Sequence, residues 1–242
     1  MRFILLFPPA AVLLCFRIPI LGRLLAQGLR VLAEAVSYLL NVPDIVLRLA
    51  GVRLRKKLRL HVIILRAKGQ PVLAKTALEQ QFETARRVLA DEAGIDLIVS
   101  GIHEDDRDAP PAVLDVHCNV RAYFEDLLAP GCWFESAATR HAASKAWLRL
   151  LGLGSPLFAI VVRSMGCLFL GCSLGVAAEY ITLTAPGTAE DSDLLVHEIG
   201  HSLGLMHRRH SDNLMWPYCG RSRGLTAWQV TLMRGSRHVT FV

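Results

Sequence analysis

Apolar residues are distributed along this chain in two distinct regimes. Residues 3–16 are apolar throughout, residues 18–22 continue the pattern after Arg17, and residues 24–50 are apolar-rich, interrupted by Arg30, Glu34, Asp44 and Arg48. A basic run at residues 53–59 ends that regime, and a folded-domain pattern follows. Residues 60–65 form a β-branched run suited to a buried strand. Residues 74–93 place Leu78, Phe82, Ala85 and Leu89 at helical spacing, with Gly94 positioned as a C-cap, and residues 95–99 read as a second strand. Strand, helix and strand in that order predict a βαβ unit with a parallel pair. Residues 102–112 read as a polar loop, 114–118 as a strand, 121–128 as a short helix and 157–162 as a buried strand, while residues 133–154 give no clear signal. Across 165–183 a β-rich run contains Gly166, Gly171 and Gly175, glycines that suit bulges or close backbone approach. Ser192 is the expected N-cap of a helix over residues 193–203, and Thr226 of a last amphipathic helix containing Trp228, Val230, Leu232 and Met233.

The helix expected at 193–203 carries the chemistry. His197 and His201 are four residues apart and so project from one helix face. Two neutral imidazoles at that spacing can share one zinc ion, with Glu198 beside them to handle a water proton. Gly204 can take a positive φ, end the helix and turn the chain so that His207 arrives as a third ligand. Three protein ligands leave a fourth position open, the mark of a catalytic zinc site.

This run, HEIGHSLGLMH, resembles the HExxHxxGxxH signature of the metzincin metallopeptidases, and residues 211–217 (SDNLMWP) resemble their methionine turn, with Met215 under the site. The resemblance implies an α+β fold, namely a metzincin-like catalytic domain with a twisted mixed β-sheet, an active-site helix and a small C-terminal subdomain, the substrate cleft lying between the two parts. It implies a zinc metalloendopeptidase holding one catalytic Zn2+ through His197, His201 and His207, with Glu198 as general base. It also implies a peptide or protein substrate, held as an added strand along a sheet edge within residues 165–183. His210 is a rival third ligand whose distance from Gly204 fits the family less well. Some metzincins add a tyrosine ligand two residues after the methionine; Pro217 occupies that place and Tyr218 follows one later, so Tyr218 is not given that role. A structural Ca2+ in the acidic loop (Glu104, Asp105, Asp106, Asp108) is a second cofactor to test, although no ligand spacing is recognisable there. The alternative function, from another class, is a zinc-stabilised, membrane-associated binding protein without activity. Retention of Glu198 speaks against it.

Composition adds the setting. The chain of 242 residues is 52% hydrophobic with a formal charge of +6, and its mean hydropathy is +0.37. The apolar excess lies in residues 1–52, read as a membrane anchor, a signal segment or a helical hairpin packed on the protein, ahead of a peptidase domain at 53–242. Much of the positive charge falls in the same N-terminal third, where no nucleic-acid motif accompanies it, so nucleic acid is excluded as a partner. Membrane association through residues 1–52 and an extracytoplasmic catalytic domain are expected. The basic run at 53–59 would instead suit a cytoplasmic flank. Oligomeric state is not legible. Of six cysteines, Cys15 lies in the apolar segment and five in the domain. Export would favour disulfides, with Cys118–Cys132 or Cys167–Cys172 suggested by proximity.

Overall fold

The structure is a computed structural model and describes residues 19–118, 123–141, 154–166 and 170–241. Two helices, α1 (Pro19–Leu40) and α2 (Val42–Leu49), precede strand β1 (Lys56–Ala67), which is the centre of the sheet. β2 (Gln70–Pro71) returns along the end of β1, and a 3-10 turn (Lys75–Leu78) leads into α3 (Glu79–Val88) and one wide π turn (Leu89–Ala93). Gly94, at φ +63°, ends that turn as its expected C-cap. β3 (Ile95–Asp108) follows, parallel to β1, so the predicted βαβ unit is present.

After α4 (Pro111–Leu114), β4 (Asp115–Val116) and α5 (Tyr123–His141), the chain re-enters the sheet at β5 (Leu157–Val162), which also runs parallel to β1. β6 (Ser164–Met165) pairs with β4 in a small separate sheet. β7 (Gly171–Ser173) runs antiparallel to β8 (Tyr180–Thr184), which is parallel to β5. Then come α6 (Ala185–Glu190), α7 (Leu194–Ser202), α8 (Ala227–Gly235) and β9 (Val239–Phe241). Along the path β2-β1-β5-β8-β7 the last strand is β7; β3 covers the other side of β1, and β9 pairs antiparallel with β1 at its start. The result is the expected α+β class with a mixed sheet.

Every residue of β5 and β8 is buried, as expected for central strands covered on both faces. One core layer packs α3 and α7 against the sheet through Phe82, Leu195, Ile199 and Met215. The other packs α5 through Phe134 and Ala137 against Phe158 and Ile160. Gln81, fully buried on α3, donates to the Thr188 and Asp191 carbonyls at 2.9 and 2.6 Å and accepts from the Leu195 amide, fixing the entry of α7.

Several expectations need correction. Residues 102–108 are strand rather than loop, because β3 keeps its ladder with β1 through bulges at Leu60/His61 and Ile64/Arg66. The acidic side chains ride on that strand and find protein partners. Arg140 reaches Asp105 at 2.6 Å and Trp133 donates to it at 3.0 Å, Lys75 lies 3.5 Å from Glu104, and the Gly69 amide donates to Asp108. Asp105, Asp106 and His141 do converge, but Arg140 already supplies positive charge to both carboxylates, and the calcium expectation gains no support. The strand expected at 114–118 is a helical turn followed by a two-residue bridge. The helix expected at 121–128 extends to His141. Asp193, not Ser192, holds the N-cap position of α7, and its carboxylate binds Arg223 at 2.8 Å instead of the helix amides. Cys118 bonds Cys172, contrary to both expected pairings, because the end of β4 lies beside β7 in space. Cys132 and Cys219 are free and exposed. Cys15 and Cys167 lie outside the described residues. Among the described residues no helix is long and apolar enough to cross a membrane.

Candidate metal centre and cleft

α7 presents His197 and His201 on one face, as the four-residue spacing requires. Gly204, at φ +91°, ends the helix, and the chain turns back to bring in His207. The three imidazoles place nitrogen atoms within 4.8 Å of one another, and His201 Nε2 lies 3.1 Å from His207 Nε2. His207, and not His210, completes this group.

Backbone carbonyls fix two of the rings. The Leu214 carbonyl lies 2.9 Å from His197 Nδ1, and the Leu205 carbonyl 2.9 Å from His201 Nδ1. An Nδ1–H donated to each carbonyl leaves Nε2 as a lone pair facing the centre, as metal-binding histidines require. Burial pushes His197 down to about 3 and His201 to about 4, so both are neutral near pH 7. His207 is also lowered, by burial and then by the charge of Arg221. Three converging imidazole nitrogens, two of them on rings oriented by backbone carbonyls, fit a divalent, nitrogen-preferring ion such as Zn2+.

Glu198 lies beside them. Its Oε2 is buried with no hydrogen-bond partner among the described residues. Burial raises its pKa to about 8, Asp191 pushes the same way, and Arg221 partly opposes. A carboxyl in that state can hold or release a proton near neutral pH. Gly171 of β7 is what leaves it room: a β-carbon there would stand 2.7 Å from Glu198 Oε1. Ser173 Oγ, 2.9 Å from Ser202 Oγ, ties the same strand to the end of α7.

The methionine turn underlies the histidines. Met215 is fully buried, and a β-carbon on Gly200 would meet its sulfur at 2.6 Å. Asn213 Oδ1 accepts from the Met215 amide at 3.0 Å, and Asn213 exchanges two side-chain bonds with Gln229, at 2.8 and 3.0 Å. Gln229 in turn forms the capping box of α8 with Thr226, the expected cap. This links the turn to the last helix.

Around these groups is a cleft of about 400 Å3, lined by Gly171, Cys172 and Ser173 on the β7 side and by Pro217, Tyr218, Cys219 and Arg221 on the other. Sequence reasoning missed Arg221 and Asp191. They form a buried ion pair at 2.6 Å that fastens the loop after the methionine turn to the approach to α7. An Arg and an Asp thirty residues apart give no sequence signal of pairing. Gly171 did carry a signal, as one of three glycines expected at close backbone approach. His61, on the strand expected at 60–65, stacks on His103 at 6.0 Å and joins no part of the site.

The sequence model of the Matrixin family matches residues 173–229. No curated protein matches the chain. Among solved structures, metalloproteinase-II from Bacteroides fragilis aligns with a TM-score of 0.46 at 16% identity, covering 73% of this chain and 52% of that one. A chaperone–substrate complex aligns at 0.49 and 11% identity, covering 77% and 35%. A zinc-dependent peptidase from Methanocorpusculum labreanum (strain Z) aligns at 0.43 and 13% identity, covering 72% and 99%. The chain thus spans about half the length of the Bacteroides enzyme. The Matrixin match covers α7, the three histidines, the methionine turn and the start of α8, and over that stretch, which builds the centre, the chain is similar to the Matrixin family.

Proposed function

We propose that this chain is a zinc-dependent endopeptidase in which His197, His201 and His207 hold the metal and Glu198 is the general base. The observation that carries the reading is the pairing of three converging imidazoles with a buried carboxyl group whose Oε2 has no hydrogen-bond partner among the described residues. A bound zinc would supply Lewis acidity and lower the pKa of a coordinated water. The rest falls to the chain itself. Glu198, whose buried Oε2 has no hydrogen-bond partner among the described residues, takes the proton of the attacking water and returns it to the leaving amine. β7, the last strand along its path in the sheet, offers backbone groups on which an extended peptide can lie as an added strand. Gly171, being without a side chain, lets that peptide's backbone and the Glu198 carboxylate approach one another. The Cys118–Cys172 bridge supports an extracytoplasmic setting, since such bonds persist in oxidising compartments.

The test separates loss of metal from loss of chemistry. Glu198→Ala should keep the fold and about one zinc per chain, while cleavage of a mixed peptide library falls by about two to four orders of magnitude. His207→Ala should lose the zinc. A wild-type chain that cleaves nothing when zinc-replete, or a Glu198→Ala variant as active as wild type, would sink the peptidase reading in favour of an inactive zinc-stabilised binding protein.

A further inference from the structure

Helix α1 is amphipathic the wrong way round for a water-soluble surface. Its three charged residues all turn toward the protein. Arg30 and Glu34 are buried and Arg23 is half-buried. Arg30 bonds Glu135 at 3.0 Å, Arg23 lies 3.6 Å from the same carboxylate, and Glu34 accepts from the Arg237 amide at 3.1 Å. The outward positions are Leu21, Leu24, Gly28, Leu29, Val31, Leu32, Ala35, Val36, Leu39 and Leu40, all apolar. α2 repeats the arrangement. Asp44 is buried against Arg234 at 2.6 Å and Lys56 at 3.7 Å, while Val42, Val46 and Leu49 face out. Leu32, Leu39 and Leu49 are 61%, 74% and 85% exposed. A soluble helix does the reverse, placing its charges in water.

The charge around this face selects its occupant. Between residues 21 and 59 the only carboxylates are Glu34 and Asp44, and both are buried. Among the described residues the first exposed charges are Arg53 and Arg55, opening a run in which Lys57 and Arg59 are half-buried. The face of α1 and α2 therefore offers hydrocarbon with no exposed carboxylate of its own, flanked by exposed arginines, of which Arg55 also pairs with the half-buried Asp96 at 2.7 Å. A second copy docked two-fold on the same patch would set these arginines against one another. A bilayer with anionic headgroups meets both features, taking the leucines into its acyl boundary and the arginines at its phosphates. At 22 residues α1 is about 33 Å long, enough to lie along such a surface. It is not apolar enough to cross one.

We infer that the outward face of α1 and α2 is an in-plane docking surface for a lipid bilayer carrying anionic headgroups, with Leu32, Leu39 and Leu49 inserted and Arg53 and Arg55 at the headgroups. This goes beyond the peptidase reading and stands without it. The test uses the full chain and sedimentation with vesicles of phosphatidylcholine alone or mixed three to one with phosphatidylglycerol. Wild type should pellet with both and more strongly with the mixture. Leu32→Glu/Leu39→Glu/Leu49→Glu should lower the partition by about ten-fold or more, since three inserted leucines are lost, with zinc content and circular dichroism unchanged. Arg53→Glu/Arg55→Glu should remove only the gain from phosphatidylglycerol. As a second measurement, Leu39→Trp should add a fluorescence component quenched by lipids brominated in their acyl chains. A leucine variant that pellets as wild type does, with no quenching of the added tryptophan, would assign binding to another part of the chain, such as residues 1–18, and overturn the inference. A wild type that ignores vesicles and is a dimer, made monomeric by the leucine variant, would overturn it in favour of a second copy.

Discussion

Gly171 and Glu198 meet so closely that a β-carbon on the glycine would lie 2.7 Å from Oε1 and 2.8 Å from Cγ of the glutamate. The edge strand and the candidate base therefore have one relative position in which both fit. Gly171→Ala should displace the carboxylate or the strand by roughly an ångström, and misplacement on that scale costs about a hundred-fold in rate. Zinc content should remain at the wild-type value. Peptidase assays beside metal analysis read the two quantities separately, and a fully active variant would remove Gly171 from the cleft's design.

Gly204 carries a different burden. Its φ of +91° is one that side-chain-bearing residues rarely adopt, and a β-carbon there would also stand 2.6 Å from the Tyr38 hydroxyl. Gly204→Ala should disturb the turn that delivers His207 and weaken zinc binding by about ten-fold or more. Competition against a chelator measures it. Unchanged affinity would mean that the turn tolerates the strain.

The bond between Cys118 and Cys172 closes a stretch of 54 residues and stands at the lip of the cleft. Loss of its constraint on the unfolded chain should cost about 2–4 kcal/mol. Cys118→Ala/Cys172→Ala, followed by urea unfolding, should show that loss, and reductant should reproduce it in wild type but not in the variant.

Acid stability should depend on Asp44. Burial alone would raise its pKa, but hydrogen bonds from Arg234 and the charge of Lys56 outweigh that and hold it below the usual carboxylate range. A group with a depressed folded-state pKa contributes stability above its unfolded value, about 3.9, and loses it as the pH falls toward the folded value. Asp44→Asn should therefore be less stable than wild type at pH 7, with the gap narrowing below about pH 4. Denaturation midpoints across that range test it, and a gap that does not narrow would contradict the assignment.

Much of the fold and the centre of the site were legible from short-range patterns. Spacing of four put His197 and His201 on one face, Gly204 announced the bend, and the β-branched runs at 60–65 and 157–162 marked the central strands. What escaped was non-local. The acidic stretch after Ile102 is strand because β1 continues beside it, a fact its polar composition hides. The Cys118–Cys172 pair depends on β4 and β7 being neighbours, and Arg221 on a loop folding back over Asp191. Hydropathy also marked residues 24–50 as apolar-rich without showing that Arg30, Glu34 and Asp44 turn inward, since a running average has no direction.

The tautomer of His197 and the sulfur beneath Gly200 both come from adjacent residues, Leu214 and Met215. This fixes an order of assembly during synthesis. As the chain leaves the ribosome, α7 emerges with its histidines before the turn that orients and supports them, and the Asn213–Gln229 bonds that anchor that turn wait for α8. The three-nitrogen centre is therefore among the last parts of the domain to be built, and a nascent chain has strands β1 to β8 behind it, with only β9 still to come, before it can present a finished site.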